Sequence, residues 1–299
     1  MRYIQSITLS LFTYHLHLGI VAAFSSSNNN NGQKHIPPLP QTSRDILRQS
    51  SSAIRHAFTI DGINHQCIRL PLSESMYADK EEGFVADRAI GWQGGPQETL
   101  RFLEPLMTSL LKEVNLVPPL DDGDDGGTVR KNDGGLPPRI QSQTILDFDG
   151  TALLTAESPN GALYDIQALL QANTDSYYMD LISKLEEQFS DTPGKSKRLL
   201  LLANSAWRDA SSWGFWGAKK AQKMILDRYE VTYALDQFIV RGEKVCLLKV
   251  WPYDWCVYCS KMKYGDVKEE KSESVWLGSF EERPTYSQME ELMLQRPSL

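Results

Sequence analysis

The sequence is poor in cysteine: Cys67, Cys246, Cys256 and Cys259 are its only four. That number, with uneven spacing, excludes a disulfide-rich secreted scaffold, and Cys67 and Cys246 lie in apolar strand-like runs that simply bury a thiol. Clustered positive charge is scarce too. The net charge is −7, and only Lys195-Ser196-Lys197-Arg198 and Lys219-Lys220 concentrate basic residues, too few to hold a nucleic-acid backbone or an anionic lipid surface. Long apolar runs are missing. The nearest, Leu9 to Ala23, is short and interrupted by Tyr14, His15 and His17, so no membrane span is expected in the mature protein. The phosphate-binding lysine pattern and the dinucleotide glycine spacing are absent as well, so Gly91-Trp92-Gln93-Gly94-Gly95 before Pro96 reads as a helix-starting turn rather than a phosphate cradle. Asp121-Asp122-Gly123-Asp124-Asp125 lacks the terminal glutamate of a calcium loop. No cofactor, metal or nucleic-acid partner is therefore expected.

What is present begins at the N-terminus. Arg2 supplies a short positive region, Val21-Ala22-Ala23 offers small residues for cleavage before Phe24, and a Ser/Asn-rich stretch with Lys34 has no acidic residue until Asp45. This arrangement resembles the bipartite plastid targeting leader of algae with complex plastids. It implies residues 1–36 as signal plus transit peptide, delivering the rest to the plastid stroma or to a thylakoid-associated position; a plain signal peptide with export is the alternative. Of the 299 residues, 37–259 are expected to form a single α/β domain, interrupted by a solvated acidic insertion at about 118–139. Residues 260–299 read as a charged C-terminal tail, in which Trp276, Leu277 and Phe280 dock back on the domain and 286–294 form a short helix.

Periodicity places the elements. Thr42 or Ser43 caps a helix that reaches Phe58, with Ile46, Ile54 and Phe58 on one face and Gly62 after its end. Residues 66–72 form the first strand, with Pro71 at its exit. Pro96 opens a helix to Leu111 that Pro105 is expected to break or kink. Residues 140–148 read as a strand, 163–170 as a helix, and 175 or 176 to 189 as a clearer helix with Leu181, Leu185 and Phe189 on its apolar stripe. Leu199 to Ala203 is apolar throughout, as a central parallel strand covered on both faces requires. A helix over 217–226, strands over 229–240 and 244–251, and a short strand over 255–258 follow. The expected fold class is α/β: a three-layer, Rossmann-like mixed sheet, mostly parallel, with a C-terminal antiparallel hairpin.

Two groups of residues invite a functional reading. Asn204, Trp207, Trp213 and Trp216 fall just beyond the apolar strand, where open α/β sheets bind ligands, and Tyr233, Trp251 and Trp255 extend the aromatic set. They are read as a binding or partner surface, with an aromatic cluster closing the sheet edge as the structural alternative. Asp147-Phe148-Asp149-Gly150-Thr151 is the second group. Haloacid-dehalogenase-like phosphatases place a nucleophilic aspartate after their first strand and an acid/base aspartate two residues later. Such a magnesium-dependent enzyme would draw on Asp147, Asp149, Ser205, Lys219 or Lys220, and Asp266, although Asp266 does not follow an apolar strand. Cys256-Val257-Tyr258-Cys259 has CxxC spacing, but it sits among β-prone residues instead of at a helix N-terminus, and no second pair completes a zinc site.

Three stretches carry a family resemblance: Leu201-Leu202-Ala203-Asn204-Ser205-Ala206-Trp207-Arg208; Ile225-Leu226-Asp227-Arg228-Tyr229-Glu230-Val231-Thr232-Tyr233-Ala234-Leu235; and Lys244-Val245-Cys246-Leu247-Leu248-Lys249-Val250-Trp251-Pro252-Tyr253-Asp254-Trp255. An apolar strand into Asn-Pro-x-Trp, a Phe/Tyr-x-x-x-Tyr pair and a strand into Pro-x-x-Trp resemble the DUF1995 family of cyanobacterial and plastid proteins, with Ser205 here in place of the proline. Residues 40–72 resemble its opening. One plant relative is an accessory factor for photosystem II accumulation. The resemblance implies a plastid interaction or assembly protein with thylakoid or photosystem assembly partners, and it brings no catalytic residues.

Overall fold

Leu199–Ala203 is apolar at every position, and all five side chains are buried. Successive side chains of a strand point to opposite faces, so this strand, β5, needs cover on both. Leu199, Leu201 and Ala203 enter one core with Ile46 and Ile54 of α1 (Ser43–Thr59) and Leu103, Met107 and Leu110 of α2 (Pro96–Val114). Leu200 and Leu202 enter a second core with Tyr178 and Ile182 of α3 (Ser176–Ser190) and Ala221 of α4 (Gly214–Ala221). These observations come from a computed structural model, which describes residues 36–72, 95–116, 136–190, 198–260 and 274–296. Nearly all of the expected leader, most of the acidic insertion, Gly91 to Gly94 and Asp266 lie outside the described residues.

Among the described residues the sheet has nine strands. From edge to edge they are β2 (Arg139–Leu146), β3 (Thr151–Glu157), β4 (Ile166–Leu170), β5, β1 (His65–Arg69), β6 (Glu230–Val240), β7 (Glu243–Val250), β8 (Trp255–Ser260) and β9 (Ser274–Phe280). Only the pairs β4–β5, β5–β1 and β1–β6 are parallel; the other five are antiparallel. The sheet is mixed, as expected, but not mostly parallel and Rossmann-like: its centre is parallel and antiparallel strands lie on both sides. Short connections explain it: Asp147–Gly150 and Arg241-Gly242 are tight turns, which can only return the chain antiparallel.

Three other expectations change. Residues 163–170 form a short 3-10 turn and then β4, not a helix. Ile166, Ala168 and Leu170 face the first core and Leu169 the second, and such a doubly covered strand has the near-continuous apolar pattern that also suits a buried helix. The helix through Pro105 continues to Val114. Pro105 and Arg101 are both exposed, so the Arg101 carbonyl that loses its helical donor faces water. The stretch expected as a charged tail adds a strand, β9, to the sheet, and the short helix expected over 286–294 is α5 (Tyr286–Gln295). Met289 and Met293 of α5 cover a third core made by Ala234, Val245, Leu247, Trp255 and Val257. Among the described residues, no helix is long and apolar enough to cross a membrane.

Two fastenings, one buried and one partly exposed, hold the layers in register. Gln66, fully buried on β1, donates to the Ile54 and Ile63 carbonyls at 3.2 and 2.8 Å and accepts from the Thr232 hydroxyl at 3.0 Å, joining α1, β1 and β6. At the other end, Arg296 pairs with Glu243 at the start of β7 and fixes the C-terminus of α5.

Gly150 closes the β2–β3 turn at φ +59°, and a Cβ there would overlap the Pro96 carbonyl at the start of α2. Gly62 has a similar φ, +68°, with open space around it. Gly62→Ala is therefore expected to cost about 1–2 kcal/mol from its left-handed backbone. Gly150→Ala should cost roughly 1–3 kcal/mol more because the carbonyl must move. Urea unfolding of both variants checks this, and equal losses would refute close packing of α2 on the hairpin.

Glu243 gives a pH dependence. The Arg296 hydrogen bond holds its carboxyl below the usual range, against a weaker opposing effect of burial. A carboxyl with a lowered folded pKa adds stability above its unfolded value, about 4.3, and loses that stability as pH falls through the folded value. Denaturant unfolding should therefore separate the native protein from Glu243→Gln at neutral pH, with the gap closing in acid.

Candidate functional site

β1 and β5 are neighbours, yet the chain leaves them in opposite directions. After β1 it passes through α2, on the first core, toward β2, β3 and β4; after β5 it passes through α4, on the second core, to β6. A crevice opens between the carboxyl ends of such strands. Arg69 ends β1 on this rim, and Asn204 follows β5.

Asn204 takes a left-handed backbone, φ 51°, which asparagine tolerates better than most residues. Its Nδ2 donates to the Leu70 carbonyl at 2.6 Å, its Oδ1 accepts from the Leu70 N–H at 2.9 Å, and its own N–H donates to the Ile68 carbonyl at 2.9 Å. The side chain thereby continues the β1–β5 ladder by one more pair. Its amide is turned to Leu70 rather than to the crevice. Ser205 beside it is buried, and its hydroxyl has no partner among the described residues.

The aromatic set divides by depth. Trp207 is 3% exposed and packs on Trp213 with ring centroids 4.8 Å apart. Tyr233 is fully buried in the first core, where burial drives its phenol far above the usual range, and Trp255 is buried in the third. Trp251 is half-buried, donates from Nε1 to Asp61 at 2.7 Å, and lies under the Lys249 ammonium at 5.2 Å. Lys249 itself is buried and donates to the Tyr253 carbonyl at 2.6 Å; burial lowers its pKa, with Glu230 acting against that. Trp213 is half-buried, and Trp216 is placed on α4. Phe215, at the start of α4, is 87% exposed.

The aspartate motif forms the β2–β3 turn. Asp147 accepts from Gln97 at 3.1 Å, and Asp149 accepts from Asn173 at 3.0 Å and from the Tyr178 hydroxyl at 2.8 Å. The turn lies at the same end of the sheet as Ser205, but β4 stands between the strands that carry them, two strand spacings or about 10 Å in all. Lys219 is exposed on α4. The two cysteines of CxxC fall on opposite faces of β8, Cys256 in the first core and Cys259 in the third. Burial pushes the Cys259 thiol up to about 11 and the Cys67 and Cys246 thiols up to about 12. Among the described residues, no group of three or more His, Cys, Asp and Glu side chains is placed to hold a metal.

Sequence reasoning passed over Arg69, Arg208, Arg283 and Asp236, which meet at this end of the sheet. The available signal was Asp236 itself, 8% exposed in a strand whose preceding residues Ala234 and Leu235 are core. A buried carboxylate in such a strand demands a charged partner.

A family model described as "Domain of unknown function (DUF1995)" matches residues 40–291. Neither the curated proteins nor the solved structures contain a match to this chain.

Asn204→Ala removes both side-chain bonds to Leu70 and leaves a poorly tolerated left-handed alanine. The expected loss is about 2–3 kcal/mol in urea unfolding. A loss within error of zero would show that the clamp contributes nothing.

Proposed function

The chain belongs to the DUF1995 family, and on that premise we propose that it works by binding other proteins, as a plastid assembly factor related to photosystem II accumulation, rather than by catalysing a reaction. The observation that carries this reading is Phe215, 87% exposed at the head of α4 beside the half-buried Trp213. Aromatic side chains in such positions supply most of the energy at protein interfaces. Lys219 and Lys223 are exposed in the same segment, so the partner surface that fits is apolar at its centre and acidic around it. Thylakoid association would run through this contact.

Tagged protein captured from detergent-solubilised plastid membranes should retain photosystem II subunits or thylakoid insertion factors. Phe215→Ala and Trp213→Ala, with unchanged circular dichroism, should each weaken capture at least about tenfold. Trp207→Ala is a poor probe because that ring is core. Recovery of no photosystem or insertion protein, or full capture by the folded Phe215→Ala variant, would overturn the reading.

A further inference from the structure

Asp236 pairs with arginines from two separate elements, and a third arginine, Arg69, ends the neighbouring strand beside them. Arg283, in the link between β9 and α5, donates from Nη2 to Asp236 Oδ2 at 2.9 Å. Arg208, in the turn after β5, stands with Nη2 3.9 Å from Oδ1, an ion pair without a hydrogen bond. Arg69, at the end of β1, donates to the Trp207 carbonyl. Burial lowers the Arg69 pKa most; Asp236 opposes that, while Arg208 and Arg283 lower it further.

One arginine is enough to satisfy one carboxylate; with Arg208 and Arg283 paired to Asp236 and Arg69 bonded to the neutral Trp207 carbonyl, the three guanidinium groups carry two positive charges beyond that of Asp236. Asp209, next in sequence to Arg208, accepts from the Ser211 N–H at 2.9 Å and from the Ser211 hydroxyl in a turn at the surface, and acts on Arg283 only through water-screened distance. Like charges held together at a half-buried site are unfavourable until an anion joins them. The arginines are also held in place from below. The guanidinium carbons of Arg208 and Arg283 lie 5.5 and 5.8 Å from the Phe238 ring centre, and Arg283 lies 5.9 Å from that of Trp255. Their side chains remain 47% and 30% exposed, so the forks are both positioned and reachable.

We propose that Arg69, Arg208 and Arg283 bind the phosphoryl group of a small phosphate monoester, in the crevice beyond the carboxyl ends of β1 and β5. Charge selects phosphate: a phosphomonoester carries about −1.5 to −2 at neutral pH, matching the surplus, whereas a single carboxylate leaves one positive charge unpaired. Geometry agrees, because planar guanidinium forks match phosphate oxygens in pairs. The position is the one in which open α/β sheets receive ligands. The competing role is mechanical, with Arg208 and Arg283 fastening the post-β5 turn and the β9–α5 link to the sheet. That role affects stability without creating any affinity for phosphate.

The test is titration of the whole purified protein with inorganic phosphate at low ionic strength, followed by calorimetry and tryptophan fluorescence, with glycerol phosphate as the monoester and acetate as the monocarboxylate. Saturable phosphate binding is expected, with competition by glycerol phosphate, weaker binding of acetate and loss of affinity in added salt. Arg208→Gln and Arg283→Gln should each weaken phosphate binding at least about tenfold, and Lys112→Gln, on the exposed side of α2 near its C-terminus, should leave it unchanged. Arg208 is the most exposed of the three, so its variant remains decisive even if substitution of Arg69 or Arg283 unfolds the chain. No saturable binding at millimolar phosphate, equal binding of acetate, or native affinity in folded Arg208→Gln would overturn the proposal.

Discussion

The centre of this molecule depends on keeping two strands paired where the chain turns away from both. β1 and β5 end side by side, and the polypeptide leaves them toward opposite faces of the sheet. Without a fastening, the exposed backbone groups of Leu70 would be the first to fray. Asn204 supplies both a donor and an acceptor to that one residue. Gln171 repeats the device after β4: it too is left-handed, φ 54°, and its side chain reaches the Gly150 carbonyl at 2.8 Å, where the β2–β3 turn and the start of α2 meet. A rim built in this way is stiff, and its stiffness lets side chains of different elements converge on it.

That stiffness also explains why the family-like residues are not the ones most open to partners. Asn204 and Trp207 are committed to the backbone and the core, and Trp255 lies under the third core's helix. Their spacing preserves a sheet end. The groups that meet solvent there stand around this framework: Phe215 on α4, and the exposed sides of Arg208 and Arg283. An exposed aromatic ring and partly exposed arginines therefore share one end of the sheet while belonging to different segments.

Much of the architecture was legible because burial writes itself into sequence in a simple way. The run Leu199–Ala203 is doubly covered, the helices at Ser43–Thr59 and Ser176–Ser190 carry clear apolar stripes, and Arg241-Gly242 turns one strand into the next. The strand at Ile166–Leu170 was read as a helix because strands covered on both faces have no period of two, and Gln167 breaks the unbroken apolar run that marked Leu199–Ala203. β9 escaped notice because its residues are only partly buried at the sheet edge, apart from exposed Trp276, and their alternation is weak. At the rim, sequence pointed to Asn204 and Trp207 just beyond Leu199–Ala203, which the structure commits to a backbone clamp and to the core. It missed the arginines because their meeting is set by three distant segments, and nothing local marks Arg69 or Arg283.

The strand order also shapes how the chain must be built. β1 lies at the middle of the sheet, yet its partners come much later: His65 sits against Leu200, and Gln66 against Glu230. During synthesis α1 and β1 emerge early and must wait for most of the domain to follow. Until β5 and β6 arrive, both edges of β1 are open, and Gln66, Ile68 and Leu70 have no core to enter. β9 and α5, which follow all the other described elements, close the far edge beside β8. Topology of this kind folds slowly and late, and a nascent chain with an early central strand is a natural client for chaperones.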